Sequence, residues 1–232
     1  WDGVAAELSR EHRVLVPELP GFGHGPLGPR FRLAETADVM ARWLERLGAA
    51  PAAVAGHSLG ALVAMWMAVR RPEAVARLVL IAPPVRTAGA RPHQHALPVL
   101  RTLAAAPPAA AALIVRDVAG RSAPALLAAA GEVLAADAVP DPAAIAHPAL
   151  LVQGVRDRVV RPHAAAGFAG AMPRGRLVLL PRAGHVPMLD APAAVARALL
   201  AFLGEGGAQA PSRPAPAHAG GGPIARSSAT GG

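Results

Sequence analysis

Short apolar stretches alternate with amphipathic stretches along most of this chain, and this alternation limits its possible folds more than any other feature. The stretch "ARLVLIAPP" at residues 76–84 is a continuous apolar run after Arg77, which is typical of a strand covered on both faces of a parallel sheet. Between residues 33 and 47, apolar side chains recur every three or four positions with charges between them, which predicts an amphipathic helix that ends at Gly48. Alternation of this kind indicates an α/β domain with a mostly parallel sheet and helices on both faces.

The same periodicities predict the remaining elements. Helices are expected at residues 1–10, 59–71, 162–172 and 192–203, and strands at residues 13–19, 51–56, 147–154 and 175–181. The first of these strands, "RVLVPEL", is followed by a loop rich in proline and glycine. Several predicted strands are thus followed at once by loops that could carry functional side chains.

The character of the chain changes at residue 84, and this change predicts its domain organisation. From 84 to 147 the sequence is rich in alanine and proline, without a convincing strand, and we interpret it as an all-helical insertion. Its helical patches lie around residues 94–105, 109–119 and 124–136. The core would then consist of residues 1–83 and 148–203. Residues 204–232 hold almost no large apolar side chain and are predicted to be disordered.

Composition excludes several classes of protein. All 23 basic side chains are arginines, with a formal net charge of +8, but they are scattered and aromatic residues are only 3% of the chain. We therefore expect no specific nucleic-acid binding. There is no cysteine, which excludes disulfides, thiolate catalysis and zinc–thiolate sites. The longest weakly polar run, residues 51–69, is interrupted by His57, Ser58 and two glycines, so no membrane span is predicted. Without a visible leader, we expect a cytoplasmic protein.

Ser58 lies in "VAGHSLGALVAMW", at the junction of a predicted strand and a predicted helix. A strand that turns directly into a helix forces the residue between them into a strained conformation with positive φ, which exposes its side chain. Because Gly56 and Gly60 have no side chains, they are expected to let the strand and helix approach each other without a clash. The alternative is a small polar residue in a core rich in glycine and alanine. The flanking strand and helix favour a nucleophile.

A serine becomes a strong nucleophile only when a base takes its proton. His185, in "LPRAGHVPMLDAP", directly follows the last predicted strand, and Gly184 allows a close approach. A buried or solvated structural histidine is the alternative, but this position favours a base. The other histidines lack one or more of these features: His12, His24, His57, His93, His95, His147, His163 and His218. His93 and His95 form an H-x-H pair without a nearby carboxylate cluster, so no metal site is predicted.

A catalytic histidine also needs a carboxylate that holds its tautomer. Asp157 lies in the loop after the strand that precedes His185; its alternative role is a salt bridge with a neighbouring arginine. Asp190 is instead expected to cap or begin the final helix. Because loops at the carboxyl ends of parallel strands share one edge of a sheet, we expect Ser58, Asp157 and His185 to converge there, in the chain order Ser, Asp, His.

These segments resemble the α/β-hydrolase fold family, in its capped, single-domain esterase or haloperoxidase-like branch. "GHSLG" resembles the nucleophile elbow, and "LLVQGVRDRVV" and "GHVPMLDAP" resemble the acid and histidine segments, with Asp190 where the family usually has glutamate. "PELPGFGHG" is similar to the family's D-L-P-G-x-G loop, with Glu18 where aspartate is usual. The resemblance covers residues 1–203 and implies that the insertion at 84–147 is a cap that shapes the substrate pocket.

The resemblance also implies an oxyanion hole with two donors. One is the amide of Leu59, after the nucleophile. The other comes from an H-G loop that lies, in the family, before a tryptophan like Trp1. On this basis the loop and the first three strands are expected upstream of Trp1, and residues 1–232 alone are expected to form an N-terminally incomplete hydrolase with a weak site. Loss of one oxyanion donor typically lowers the rate by about 10²–10³.

The expected activity is cleavage of a carboxylic ester, thioester or related acyl bond through an acyl-enzyme on Ser58, without a cofactor. The expected partner is a small-molecule acyl substrate, and nothing in the sequence indicates the oligomeric state. An acyltransferase or a carbon–carbon bond hydrolase would use the same three residues. A non-catalytic member of the fold is a further alternative, because the second oxyanion loop is absent from the sequence.

Overall fold

The structure, a computed structural model, describes residues 1–22, 31–85, 123–135 and 137–205. The helical patches expected at 94–105 and 109–119 and the predicted disordered tail beyond residue 205 lie outside these ranges. The domain boundaries given above therefore stay predictions.

The described elements follow the expected alternation of strands and helices. In chain order they are α1 (Asp2–Leu8), α2 (Leu33–Arg46), β1 (Ala52–His57), α3 (Leu59–Arg70), β2 (Val75–Ile81), α4 (Ala123–Leu134), β3 (Ala149–Gly154), α5 (Pro162–Ala171), β4 (Gly175–Leu180), α6 (Pro187–Asp190) and α7 (Pro192–Gly204). Short 3₁₀ turns at Pro72–Ala74 and Pro142–Ala144 precede β2 and β3. The α4 helix corresponds to the helical patch expected at 124–136.

The four described strands form one parallel sheet in the order β1-β2-β3-β4. The pairs Gly56 with Leu80, Ile81 with Val152, and Val152 with Val178 keep the carboxyl ends of the strands level. The loops that follow β1, β3 and β4 therefore open on the same edge of the sheet. This arrangement confirms the predicted fold class, a parallel sheet with helices packed on both faces.

The two faces of the sheet bury separate apolar clusters. Leu78, Leu80 and Leu151 point to one face, where they pack with residues of α2, α3 and α5. Their neighbours Val79 and Val152 point to the other face, where they pack with residues of α1 and α7. Side chains alternate between faces along a strand, and here both sets are apolar. This double burial explains why β2 and β3 read as continuous apolar runs.

The helices on the first face differ in sequence because they differ in burial. α2 buries one stripe (Leu33, Ala37, Met40, Ala41 and Leu44) and exposes charged residues on its other side. α3 lies between α2 and the sheet and is buried on most of its surface, so it is apolar nearly all round. α5 and α7 both begin with proline, which is favoured at the first helical position because its missing N–H needs no partner there.

The strand expected at residues 13–19 is wrong: this segment has no regular secondary structure. A strand needs a neighbouring strand to bond its N–H and C=O groups, and β1, at one end of the described sheet, pairs only with β2. Pro17 also lacks a donor. Leu15 and Leu19 nevertheless pack against the apolar cluster on the first face, so burial holds the segment without a ladder.

The α4 helix and the segment that follows it contact α2 and α3 through one side-chain hydrogen bond each. Glu132 on α4 accepts a hydrogen bond from the N–H of Leu33 (2.9 Å), the first residue of α2. No side chain within α2's own N-terminus caps it, so Glu132 satisfies a donor that the helix leaves free. Trp66 on α3 donates its indole N–H to the carbonyl of Ala138 (3.0 Å). These contacts hold Glu132 of α4 against α2, and Ala138 against α3.

None of the helices in the described ranges is long and apolar enough to cross a membrane.

Candidate active site

Ser58 occupies a sharp turn between β1 and α3. Its backbone has φ 49° and ψ −115°, the positive φ that a strand-to-helix elbow predicts and that costs a residue with a side chain of the order of 1–3 kcal/mol. The Ser58 N–H donates to the carbonyl of Ile81 (3.0 Å), and the Ser58 carbonyl accepts from Ala61 (2.9 Å). The turn is thus fixed to β2 on one side and to α3 on the other.

The two glycines of the elbow have different roles. A β-carbon on Gly56 would overlap the backbone of Gly60 and Ala61, so only glycine allows β1 and α3 to approach this closely. A β-carbon on Gly60 would meet no described atom within 4 Å. The expected steric role fits the close approach at Gly56, whereas at residue 60 the backbone makes the contact and a side chain would meet no described neighbour.

Ser58, His185 and Asp157 form one hydrogen-bonded chain across the carboxyl edge of the sheet. The Ser58 Oγ lies 3.2 Å from Nε2 of His185, and Nδ1 of His185 lies 2.9 Å from Oδ2 of Asp157. An ionised carboxylate only accepts, so Nδ1 of His185 carries the proton and Nε2 is free to accept one from Ser58. The three side chains, which were expected to converge from three strand ends, thus lie each within hydrogen-bond distance of the next.

The carboxylate of Asp157 is buried and fully hydrogen-bonded. Its Oδ1 accepts the N–H groups of Val159 (2.7 Å) and Val160 (2.9 Å), and its side chain is 0% exposed. Burial acts to raise the pKa of Asp157, but the hydrogen bond and charge of His185, with donors from Val160 and Gln153, outweigh it and hold the pKa below its ordinary value. Asp157 is therefore ionised beside His185 at neutral pH. It makes no salt bridge with a described arginine, the alternative role considered from the sequence.

Gln153 supports Asp157 from within β3. Its side chain is fully buried, and its Nε2 donates to Oδ2 of Asp157 (2.8 Å) and to the carbonyl of Val160 (3.1 Å). Its Oε1 is buried and has no hydrogen-bond partner among the residues that the structure describes. An unpaired buried acceptor is costly, so the Nε2 contacts must hold this side chain in place.

The segment that carries His185 is held against the end of β3. The N–H of Arg156 donates to the carbonyl of Ala183 (2.9 Å), and a β-carbon on Gly154 would overlap the carbonyls of Ala183 and Gly184. The N–H of Gly184 also donates to Oδ2 of Asp190 (2.7 Å). Asp190 thus ends α6 and binds the segment before His185; the expectation that it caps the final helix is wrong, since α7 has no side-chain cap.

His57 lies next to the nucleophile and contacts His185. Its Nε2 is 2.7 Å from the carbonyl oxygen of His185, and the two imidazole rings are 5.2 Å apart between centroids. Burial, followed by repulsion from His185, lowers the pKa of His57 from 6.5 to about 4. His57 is therefore neutral at physiological pH.

Leu59 is the first residue of α3. Its N–H has no intrahelical partner, as for the first residues of any helix, and it lies one position after Ser58. A free amide at a helix N-terminus favours negative charge close to the serine oxygen. Leu59 therefore has the position expected of an oxyanion donor.

No group of three or more His, Cys, Asp or Glu side chains in the described part of the chain is arranged to hold a metal ion. The His93 and His95 pair lies outside the described residues.

Three residues of this site were not identified from the sequence: His57, Gln153 and Gly154. Gln153 had a signal, because it is the polar residue in the otherwise apolar strand "ALLVQG". His57 and Gly154 had none, because each acts on the His185 segment through contacts that only the folded chain makes.

Comparison with known proteins places the fold and site in a family. A sequence profile of the alpha/beta hydrolase family matches residues 1–198. A pimeloyl-[acyl-carrier protein] methyl ester esterase from Chromobacterium violaceum is 31% identical over 225 residues, which cover 86% of this chain and 87% of the esterase. The lipase LipV of Mycobacterium tuberculosis is 36% identical over 91 residues, 39% of this chain, and the match spans 34% of that lipase, about a third of its length.

A solved structure supports the same family. The crystal structure of a hydrolase from Pseudomonas aeruginosa superimposes with a TM-score of 0.70 at 27% identity, over 88% of this chain and 84% of that one. The profile match over most of the sequence, the esterase aligned along nearly its whole length, and the parallel sheet all agree. The chain belongs to the alpha/beta hydrolase family.

Proposed function

We propose that this protein is a serine hydrolase that cleaves carboxylic esters, thioesters or related acyl bonds through an acyl-enzyme on Ser58. The observation that carries the proposal is the hydrogen-bonded chain from Ser58 through His185 to the buried carboxylate of Asp157. Nucleophile, base and orienting carboxylate are the three parts that activation of a serine requires.

In the first half of the reaction, Ser58 Oγ attacks the substrate carbonyl carbon while Nε2 of His185 takes the hydroxyl proton. The negative charge that forms on the carbonyl oxygen is stabilised by the N–H of Leu59 and by the N-terminus of α3. Asp157 stabilises the imidazolium of His185 without taking its proton. The imidazolium then gives its proton to the leaving alcohol or thiol, which leaves Ser58 acylated.

In the second half, His185 takes a proton from water as the water oxygen attacks the acyl carbon. The tetrahedral intermediate then breaks its bond to Ser58 Oγ, which recovers its proton from His185. The products are the free acid and the regenerated enzyme. A bound alcohol, thiol or amine in place of water would make the same site an acyltransferase.

The relative from Chromobacterium violaceum is named for cleavage of a methyl ester, and this supports an ester as the substrate here. We expect the acyl group to be small or apolar, because the insertion that would cover the site is rich in Ala, Leu, Val and Pro. The expectation of a cytoplasmic location belongs to this proposal as well.

The proposal is tested by labelling with a fluorophosphonate and by hydrolysis of p-nitrophenyl acetate. The wild-type chain should be labelled at Ser58, and Ser58→Ala should abolish both labelling and ester turnover. Ser9→Ala is a matched control, since Ser9 is an exposed serine at the end of α1 whose hydroxyl donates to the carbonyl of Ala6. Equal labelling of wild type and Ser58→Ala would rule out Ser58 as the nucleophile.

A further inference from the structure

The side chain of His57 bonds to the backbone of His185, a residue 128 positions away in the chain. The distance from His57 Nε2 to the His185 carbonyl oxygen is 2.7 Å. A carbonyl oxygen only accepts, so Nε2 of His57 carries a proton and donates it. The rings of the two histidines also contact each other, with an interplanar angle of 54°. His57 therefore touches both the backbone and the ring of His185.

The position of His57 on the sheet gives this contact its importance. His57 is the last residue of β1, and Ser58 follows it directly. One end of the hydrogen bond between Ser58 and His185 is therefore attached to β1 through the backbone of the elbow. The other end, His185, is attached to the last residue of β1 through the His57 side chain.

The other hydrogen bonds of this segment act on the neighbours of His185. On its C-terminal side, the carbonyl of Val186 accepts from the N–H groups of Leu189 and Asp190. The carbonyl of Ala183 accepts from Arg156, and the N–H of Gly184 donates to Asp190. The His57 contact is the one that acts on the peptide group of His185 itself among the hydrogen bonds of the described residues. Without it, the ring of His185 would be held only by Asp157 and Ser58, through its two nitrogens.

We propose that His57 is a positioning residue whose Nε2–H anchors the carbonyl of His185 and thereby sets the distance between His185 Nε2 and Ser58 Oγ. The inference rests on the proposed function, in which His185 is the base for Ser58. His57 neither touches the substrate in this scheme nor exchanges a proton in the reaction. Its contribution is geometric, because proton transfer from Ser58 requires His185 to stay within hydrogen-bond reach.

Two substitutions separate the hydrogen bond from the bulk of the side chain. His57→Gln keeps an N–H donor close to the position of Nε2, whereas His57→Leu fills a similar space without a donor. The readouts are kcat and KM for p-nitrophenyl acetate, normalised to the concentration of folded protein, and the rate of fluorophosphonate labelling.

We expect His57→Leu to lower kcat and the labelling rate by about tenfold to 10²-fold with little change in KM, because a misplacement of about 1 Å at a catalytic group costs up to about 10²-fold. His57→Gln should recover most of the loss. A purely structural role would lower the folded fraction but leave the normalised rates of both variants like those of wild type, and that result would overturn the proposal. Equal loss in both variants would overturn it as well.

A second measurement is independent of activity. In ¹⁵N-histidine-labelled protein, the Nδ1–H of His185 bonded to Asp157 should give a downfield proton signal. That signal should persist in His57→Gln and broaden or disappear in His57→Leu; an unchanged signal in His57→Leu would overturn the proposal. If the wild type is not labelled by fluorophosphonate, the proposed function fails, while this signal still decides whether His57 positions His185.

Discussion

Gly154 and Gly184 lie so close together that a β-carbon on Gly154 would overlap the carbonyl oxygen of Gly184. The carbonyl of Ala183 would be overlapped as well. Gly154 ends β3, three residues before Asp157, and Gly184 directly precedes His185. The absence of a side chain at residue 154 is thus what allows His185 and Asp157 to meet.

The first prediction is that Gly154→Ala impairs the site. Because the new methyl group must displace the backbone before His185, we expect kcat to fall by about 10²-fold, the effect of a misplacement of about 1 Å. The free energy of unfolding should fall by about 1–3 kcal/mol, as for other overpacked sites. Steady-state kinetics and urea unfolding measure the two effects.

The matched control is Gly167→Ala on α5, where a β-carbon would meet no described atom within 4 Å. It should leave kcat unchanged and raise the free energy of unfolding by about 0.5–1 kcal/mol, because alanine favours a helix over glycine. Wild-type activity in Gly154→Ala would contradict the prediction.

The second prediction contrasts the two glycines of the elbow. Gly56→Ala would push β1 away from the start of α3 and is expected to cost about 3 kcal/mol, the upper end for overpacking, with loss of Ser58 labelling. Gly60→Ala meets no described atom and should keep the labelling. Circular dichroism during thermal unfolding and fluorophosphonate labelling would test the pair; similar results for both variants would mean that the approach of β1 to α3 is not what requires glycine.

The sequence predicted the parts of this site that follow from strand ends. Ser58 directly follows β1, and Asp157 and His185 lie in the loops after β3 and β4; a parallel sheet brings such positions to one edge. The positive φ of Ser58 follows from the same strand-to-helix turn. These features depend on neighbouring residues in the chain and on one general rule of sheet topology, so periodicity was enough to find them.

The features that were missed depend on long-range contacts. His57 belongs to the site because its Nε2 meets the carbonyl of His185, 128 residues away, and Gly154 because the segment before His185 packs on it. The strand expected at 13–19 fails for a related reason, since β propensity makes a strand only where a neighbour accepts its hydrogen bonds. Pairing between distant segments is not encoded in local periodicity.

The third prediction concerns stability in mild acid. The folded-state pKa of His57 is lowered to about 4 from 6.5, so between these values the unfolded chain binds a proton that the folded chain does not. Stability therefore falls as the pH decreases from 6.5 to 4. His57 should contribute a loss on the order of 2–3 kcal/mol across this window, since one unit of pKa shift corresponds to about 1.4 kcal/mol.

Urea unfolding of wild type and His57→Gln at several pH values measures this contribution. The variant should lose less stability than wild type between pH 6.5 and 4, because glutamine does not titrate. His185 and Asp157, the titratable side chains nearest to His57, are present in both proteins, so their effects largely cancel in the difference. Parallel curves for the two proteins would show that His57 does not titrate at a lowered pKa.

The fourth prediction concerns a substitution at Gln153 that should make the free energy of unfolding fall, rather than rise, with increasing pH. Gln153→Glu replaces the donor that faces Oδ2 of Asp157 at 2.8 Å with a carboxyl group in the same buried space. Two carboxylates at this distance do not both ionise readily, so the new group should have a raised pKa in the folded state. The folded variant then binds an additional proton, and its stability should fall as the pH rises from about 4 to 7.

At pH 7 we expect Gln153→Glu to be destabilised by about 3–5 kcal/mol, the cost of an uncompensated buried charge, whereas near pH 4 a protonated carboxyl group could donate to Asp157 and the deficit should shrink. Gln153→Met is the control, since it removes the donor without adding a charge and should cost about 1–3 kcal/mol at every pH. Urea unfolding of the three proteins from pH 4 to 7 is the measurement. If the loss in free energy of unfolding of Gln153→Glu does not change with pH, the side chain of residue 153 does not interact with the carboxylate of Asp157. Gln153 would then have no role in holding Asp157 in place.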